Sequence, residues 1–255
     1  MTCMALDVFK KEAVVANIYK RVPKGARSLL SRSVSELTPQ SSAAKFDHLI
    51  MQLHAELRRK HLVHLKIETY LGDEWFCPSG TTAIAIPFWL ADSRLKQIEQ
   101  KLIGFVEGGS RAEFMRLLRH EAGHCVDHAY RLSKRDDWRA VFGNPKQKYD
   151  PDSVPTLSSH PDYVKNLPGG YAQTHPDEDF AETFAVWLDP HSHWKKTYSK
   201  FPVALKKLEF VDRLMRDVGL EIPKRVSKQR IFDARRMRRT LASYYVGRLK
   251  SLNVH

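Results

Sequence analysis

The stretch Arg119-His120-Glu121-Ala122-Gly123-His124-Cys125 constrains this chain more than any other. On a helix, His120 and His124 stand one turn apart on the same face, so both imidazoles can reach a single metal ion. Glu121 points slightly off that line, where it can act on a water molecule held by the metal. Two neutral nitrogen ligands, a base and an open coordination position are the minimum apparatus for zinc-assisted hydrolysis.

A helix is expected over this stretch. Ser110-Arg111-Ala112-Glu113 makes a capping-box pattern just after Gly108-Gly109. Phe114, Leu117, Leu118, Cys125 and Ala129 recur at near-helical spacing and form an apolar stripe, and no proline interrupts residues 110–130. Gly123 would let another segment pack close against the helix. Three fixed positions in five also arise by chance in a chain with 12 histidines, so the weight of the motif depends on a third ligand elsewhere.

That ligand is sought in residues 171–188, Tyr-Ala-Gln-Thr-His-Pro-Asp-Glu-Asp-Phe-Ala-Glu-Thr-Phe-Ala-Val-Trp-Leu. Thr174 with Asp177 makes a capping-box pattern, Pro176 suits a first turn, and Asp189-Pro190 ends the helix. Phe180, Phe184 and Trp187 share an apolar face, with Ala181 and Ala185 beside it. Glu178 and Glu182 lie four apart on another face. One such carboxylate can coordinate zinc, and the one a turn away can accept a hydrogen bond from a ligand imidazole and fix its tautomer. Asp179 and His175 also offer ligand atoms on chemistry alone, and acidic residues favour a helix N-terminus without any metal.

Together the two blocks, His-Glu-Ala-Gly-His and then Asp-Glu-Asp-Phe-Ala-Glu-Thr-Phe-Ala preceded by a tyrosine, resemble the zinc-binding metallopeptidase family of bacteria in the glutamate-zincin group. They also resemble the catalytic domain of anthrax lethal factor. The resemblance covers residues 44–215 and implies His120, His124 and Glu178 as ligands to one zinc ion, with Glu121 as general base. It further implies Glu182 as the carboxylate behind a ligand histidine and Tyr171 as donor to the developing oxyanion; Tyr163 is the weaker candidate for that tyrosine. The fold it implies is α+β and zincin-like: a small mixed sheet with an edge strand packed on the metal helix, and a second helix carrying the third ligand.

Charge divides the chain. Of a net +13, residues 1–42 hold seven Lys/Arg against three acids and residues 216–255 hold eleven against three, leaving the middle nearly neutral. Three segments are therefore expected. Residues 1–42 form a basic, Ser-rich, loosely ordered leader that includes Ser41 and Ser42, residues 43–215 form the catalytic domain, and residues 216–255 form a basic helical extension. Arg235, Arg236, Arg238 and Arg239, with Tyr244 and Tyr245, give that extension the means to meet nucleic acid or an acidic partner. This sustains an alternative reading, a nucleic-acid-associated binding protein with a non-catalytic zinc. A hydrolase of non-peptide amides is the other alternative.

The three cysteines, Cys3, Cys77 and Cys125, include no Cys-x-x-Cys, and Cys125 suits a buried apolar helix position. No apolar run is long enough for a membrane span, and Asp7, Lys10, Lys11 and Glu12 interrupt any secretory-type core. The expected location is cytoplasmic.

The remaining pattern predicts a helix over residues 43–62, strands over 64–70 and 82–88, and a helix over 93–104. Pro87 suits an edge strand, which could take up an extended peptide substrate by strand addition. Residues 136–174 are expected to be largely irregular, anchored by Trp138, Phe142 and Tyr149.

Overall fold

The computed structural model describes residues 3–39, 44–148, 160–224 and 226–252, with side chains from residue 12 onward. Tyr149, Ser41 and Ser42 lie outside the described residues. The helices are α1 (Cys3–Arg21), α2 (Val34–Leu37), α3 (Asp47–Arg59), α4 (Ser93–Ile103), α5 (Arg111–Tyr130), α6 (Asp136–Phe142), α7 (Pro176–Leu188), α8 (Trp194–Thr197), α9 (Pro202–Val218) and α10 (Leu241–Ser251). Two strands, β1 (Glu68–Gly72) and β2 (Ala83–Pro87), complete a helix-rich α+β architecture.

The sheet is smaller than expected. β1 and β2 run parallel, paired from Glu68 with Ala83 to Gly72 with Pro87. The loop between them folds back so that Phe76 pairs antiparallel with Ala85, whose amide donates to the Phe76 carbonyl at 2.9 Å. The outer side of β2 is therefore occupied at Ala85, and all five β2 residues are buried. β2 is thus an edge strand, as Pro87 suggests, but its free side is covered at Ala85. The proline ends the strand, at a position where no further ladder donor is needed. β1 also starts later than the alternation of His64–Tyr70 predicts, because only its second half pairs with β2.

The metal-motif helix α5 begins as its capping signal predicts, with the Ser110 side chain accepting from the Glu113 amide. Its predicted stripe of Phe114, Leu117, Leu118, Cys125 and Ala129 is buried. α7 packs across it at Gly123. A Cβ added at Gly123 would sit 2.9 Å from Cα of Ala181, nearer than van der Waals contact allows, so the missing side chain sets the separation of the two helices. Beyond α7 lies an aromatic stack of Trp138, Phe142, Phe180 and Phe210. Trp138 and Phe142 thus anchor α6, a short helix inside the stretch expected to be irregular.

One hydrophobic core runs from Ile18, Val22 and Leu30 to Leu241, Tyr245 and Leu249, continuous across the boundaries expected near residues 42 and 215. The two ends of the chain hold each other by backbone hydrogen bonds: Val34 N–H to Arg239, Leu241 N–H to Arg32 and Ala242 N–H to Leu30, at 2.9–3.1 Å. Residues 18–34 are thereby part of the packed body rather than a loose leader. At the other end, Arg235 and Arg236 lie in a short 3₁₀ turn and the helix starts only at Leu241. Several basic residues of this end are paired on the body, among them Arg230 with Glu68, Arg239 with Asp73 and Arg248 with Glu99. No helix among the described residues is long and apolar enough to cross a membrane.

Candidate metal centre and cleft

α5 and α7 meet so that His120, His124 and Glu178 converge. Nε2 of His120 lies 3.0 Å from Oε2 of Glu178, Nε2 of His124 lies 3.3 Å from the same oxygen, and the two Nε2 atoms are 3.3 Å apart. These three are the set of side chains among the described residues able to hold a metal ion. The separations fit zinc: four ligands at ~2.0–2.1 Å in tetrahedral array stand about 3.3 Å from one another, and two imidazole nitrogens with one carboxylate oxygen are a zinc donor set.

Behind the ligands, Oε1 of Glu182 lies 2.9 Å from Nδ1 of His120. An Nδ1–H donated to this carboxylate leaves the Nε2 lone pair facing the convergence point. Glu182 is fixed in turn. Its Oε2 accepts from the backbone amides of Asn166 and Leu167 at 2.9 and 2.7 Å, and its Oε1 accepts from the Asn166 side chain at 3.2 Å. No signal in the sequence marks Asn166 for this part.

The electrostatics favour opposite charges at this point. Burial opposes a charge on Glu178, yet hydrogen bonds from His120 and His124 hold its carboxyl well below the usual carboxylate range. Burial likewise opposes protonation of the imidazoles, but Glu178 pushes His124 up to about 9, and Glu178 with Glu182 raises His120 well above the usual histidine value. Glu121, 6% exposed, is pushed by burial up to about 7, with the neighbouring histidines opposing the rise.

A cleft of about 500 Å³ opens at the centre, lined by His120, Glu121 and Tyr171 together with Trp75, Glu107 and Glu113. Gly169 and Gly170, at φ 81° and 68°, turn the chain sharply into Tyr171. The Tyr171 ring lies 5.5 Å from that of His120, centroid to centroid. Tyr163 packs under the Lys207 ammonium, which lies 4.0 Å from its ring centre.

The other candidate ligands are engaged elsewhere. Asp179 pairs with Lys207 at 2.7 Å in a buried contact. His175, not Thr174, caps α7: its Nδ1 accepts from the Asp177 amide at 3.1 Å, and its Nε2 lies 3.1 Å from the Gln147 carbonyl. The capping pattern was legible one residue out of place, because the Thr174 hydroxyl turns back to the Tyr171 carbonyl.

Two further features escaped the sequence reading. Arg119 grips Glu56 of α3 through two contacts of 2.8 Å and reaches Asp189, just past α7, at 2.9 Å. It thus ties three segments together beside a ligand histidine. His128, one turn after His124, faces away from the centre, with Nδ1 2.9 Å from the Thr81 carbonyl.

All three ligand residues lie within one stretch that matches a family model. Residues 112–237 match the model of the family described as "Putative zinc-binding metallo-peptidase". The matched stretch takes in His120, His124 and Glu178. No curated protein and no solved structure matches the chain.

Proposed function

We propose that this protein is a zinc-dependent peptidase of the glutamate-zincin type, in which His120, His124 and Glu178 hold one zinc ion. The observation that carries this reading is the convergence of those three ligand atoms within 4.8 Å, from two helices that both fall in the matched stretch. When bound, zinc supplies Lewis acidity, lowering the pKa of a water molecule from about 15.7 to about 7 and polarising the substrate carbonyl.

The chain's own residues do the rest. Glu182 keeps His120 in the tautomer whose Nε2 is a lone-pair donor. Glu121 takes the proton of the attacking water and passes it to the leaving amine. The Tyr171 hydroxyl donates to the carbonyl oxygen as negative charge gathers there, a contribution of about 3–4 kcal/mol for one such donor. The catalytic unit in this reading is residues 43–215, and Arg248 and Leu252 of the C-terminal extension add part of the cleft wall.

The test is hydrolysis of a peptide pool by zinc-loaded wild type and Glu121→Gln, with zinc content measured on both. Retained zinc with lost hydrolysis in the variant is the expected result. Equal hydrolysis by both proteins would remove Glu121 from its role.

A further inference from the structure

The sequence separates Cys77 and Cys125 by 48 positions, yet their Sγ atoms lie 3.4 Å apart. Both are free thiols. Cys125 is fully buried in the middle of α5, directly after His124. Cys77 is half-buried, in the loop that joins β1 to β2. Its sulfur is held from three directions, 3.5 Å from Nδ1 of His128, 3.6 Å from the Thr81 carbonyl and 3.8 Å from the Thr81 hydroxyl. Pairing of Phe76 with Ala85 fixes the residue just before it. One partner therefore sits inside a helix, and the other is partly exposed with its sulfur against it.

We propose that Cys77 and Cys125 are an oxidation site that closes reversibly to a disulfide under peroxide. The Cys77 sulfur attacks one peroxide oxygen. An S–O bond forms, the O–O bond breaks, and the departing hydroxide leaves as water with the Cys77 proton, giving a sulfenic acid. The Cys125 sulfur then attacks Cys77 Sγ. The S–S bond forms, the S–O bond breaks, and a second water leaves with the Cys125 proton. Two thiols and one peroxide become one disulfide and two waters.

A disulfide needs its sulfurs ~2.05 Å apart, so they must close by more than an ångström, drawing the Cys77 side chain and its loop toward α5. Glu74 and Trp75, three and two residues before Cys77, line the cleft and would shift with it. Oxidation should therefore slow hydrolysis on the order of 10- to 100-fold. That consequence rests on the peptidase reading; formation of the bond does not.

The experiment uses the zinc-loaded full chain carrying Cys3→Ser, titrated with hydrogen peroxide and then treated with dithiothreitol. Free thiols, intact mass and cross-linked peptides are read beside hydrolysis. The proposal expects both thiols lost together, a mass lower by two hydrogens, an intramolecular 77–125 link, slowed hydrolysis, and full reversal. In Cys125→Ser the reaction should stop at a Cys77 sulfenic acid trapped by dimedone. Thiols that survive peroxide sufficient to oxidise glutathione, sulfinic acid without a link, or a link between two chains would overturn the site. Complete linkage with unchanged hydrolysis would overturn its effect on the cleft. A reduced protein that never hydrolyses peptides would count against the peptidase reading, while the thiol and mass readouts would still decide the disulfide.

Discussion

Nδ1 of His120 lies 2.9 Å from Oε1 of Glu182, and the two side chains are 2% and 1% exposed. A ligand imidazole is thus oriented by a carboxylate that is itself pinned by two backbone amides. Glu182→Gln should keep the shape but weaken the acceptor, lowering zinc affinity roughly 10- to 100-fold. Competition against a chromophoric chelator measures this. Glu178→Ala should lose more; the reverse order would exchange the two roles.

Gly123→Ala tests how closely α5 and α7 must approach. The new methyl group would meet the Ala181 backbone at 2.9 Å, where no flexible side chain can yield. Overpacking of this kind costs about 1–3 kcal/mol, and here it also separates the helices that carry the ligands. Denaturant unfolding and zinc affinity should both worsen. A variant that loses stability but binds zinc normally would show that the centre tolerates the shift.

Arg119 and Glu56 form an ion pair in which both side chains are almost fully buried. Arg119→Ala leaves the Glu56 charge without its partner and should cost about 3–5 kcal/mol. The double change Arg119→Met with Glu56→Met should be milder, since no fully buried charge is left alone and only the partly exposed Asp189 loses its partner. Urea unfolding midpoints of the two variants check this, and equal losses would contradict it.

Zinc uptake should depend on pH beyond the usual histidine range. In metal-free protein, Glu178 holds His124 up to about 9 and raises His120 as well, against the burial that opposes their charge. A value near 9 means that the His124 imidazole still carries a proton at neutral pH, and zinc must displace it. Affinity should therefore climb as pH rises from 6.5 toward 9, with net proton release on binding at pH 7. Calorimetry in buffers of different protonation enthalpy counts these protons; affinity that is flat above pH 6.5 would contradict the shifts.

The parts of the site written in helical periodicity were legible in advance. Spacing puts His120 with His124 and Glu178 with Glu182 on shared helix faces, the family resemblance singles out Glu178 over Asp179 and His175, and the structure brings the four together. Long-range relationships were not legible. The meeting of Cys77 with Cys125, and the tie of Arg119 to Glu56, depend on tertiary packing that no window of sequence contains. The same holds for the chain ends: Ser-rich composition points to a loose leader, but Ile18, Val22 and Leu30 join a core whose other members, in α4 and α10, lie far along the chain. Pro87 does mark an edge, since the sheet has two strands, but the cover that Phe76 lays over Ala85 comes from a loop whose course no local pattern gives.

The most direct measurement is a crystal structure of the zinc-loaded protein with anomalous data at the zinc edge. The account predicts one peak, bonded at ~2.0–2.2 Å to Nε2 of His120, Nε2 of His124 and a carboxylate oxygen of Glu178. A peak elsewhere, or a coordination sphere without Glu178, would contradict it.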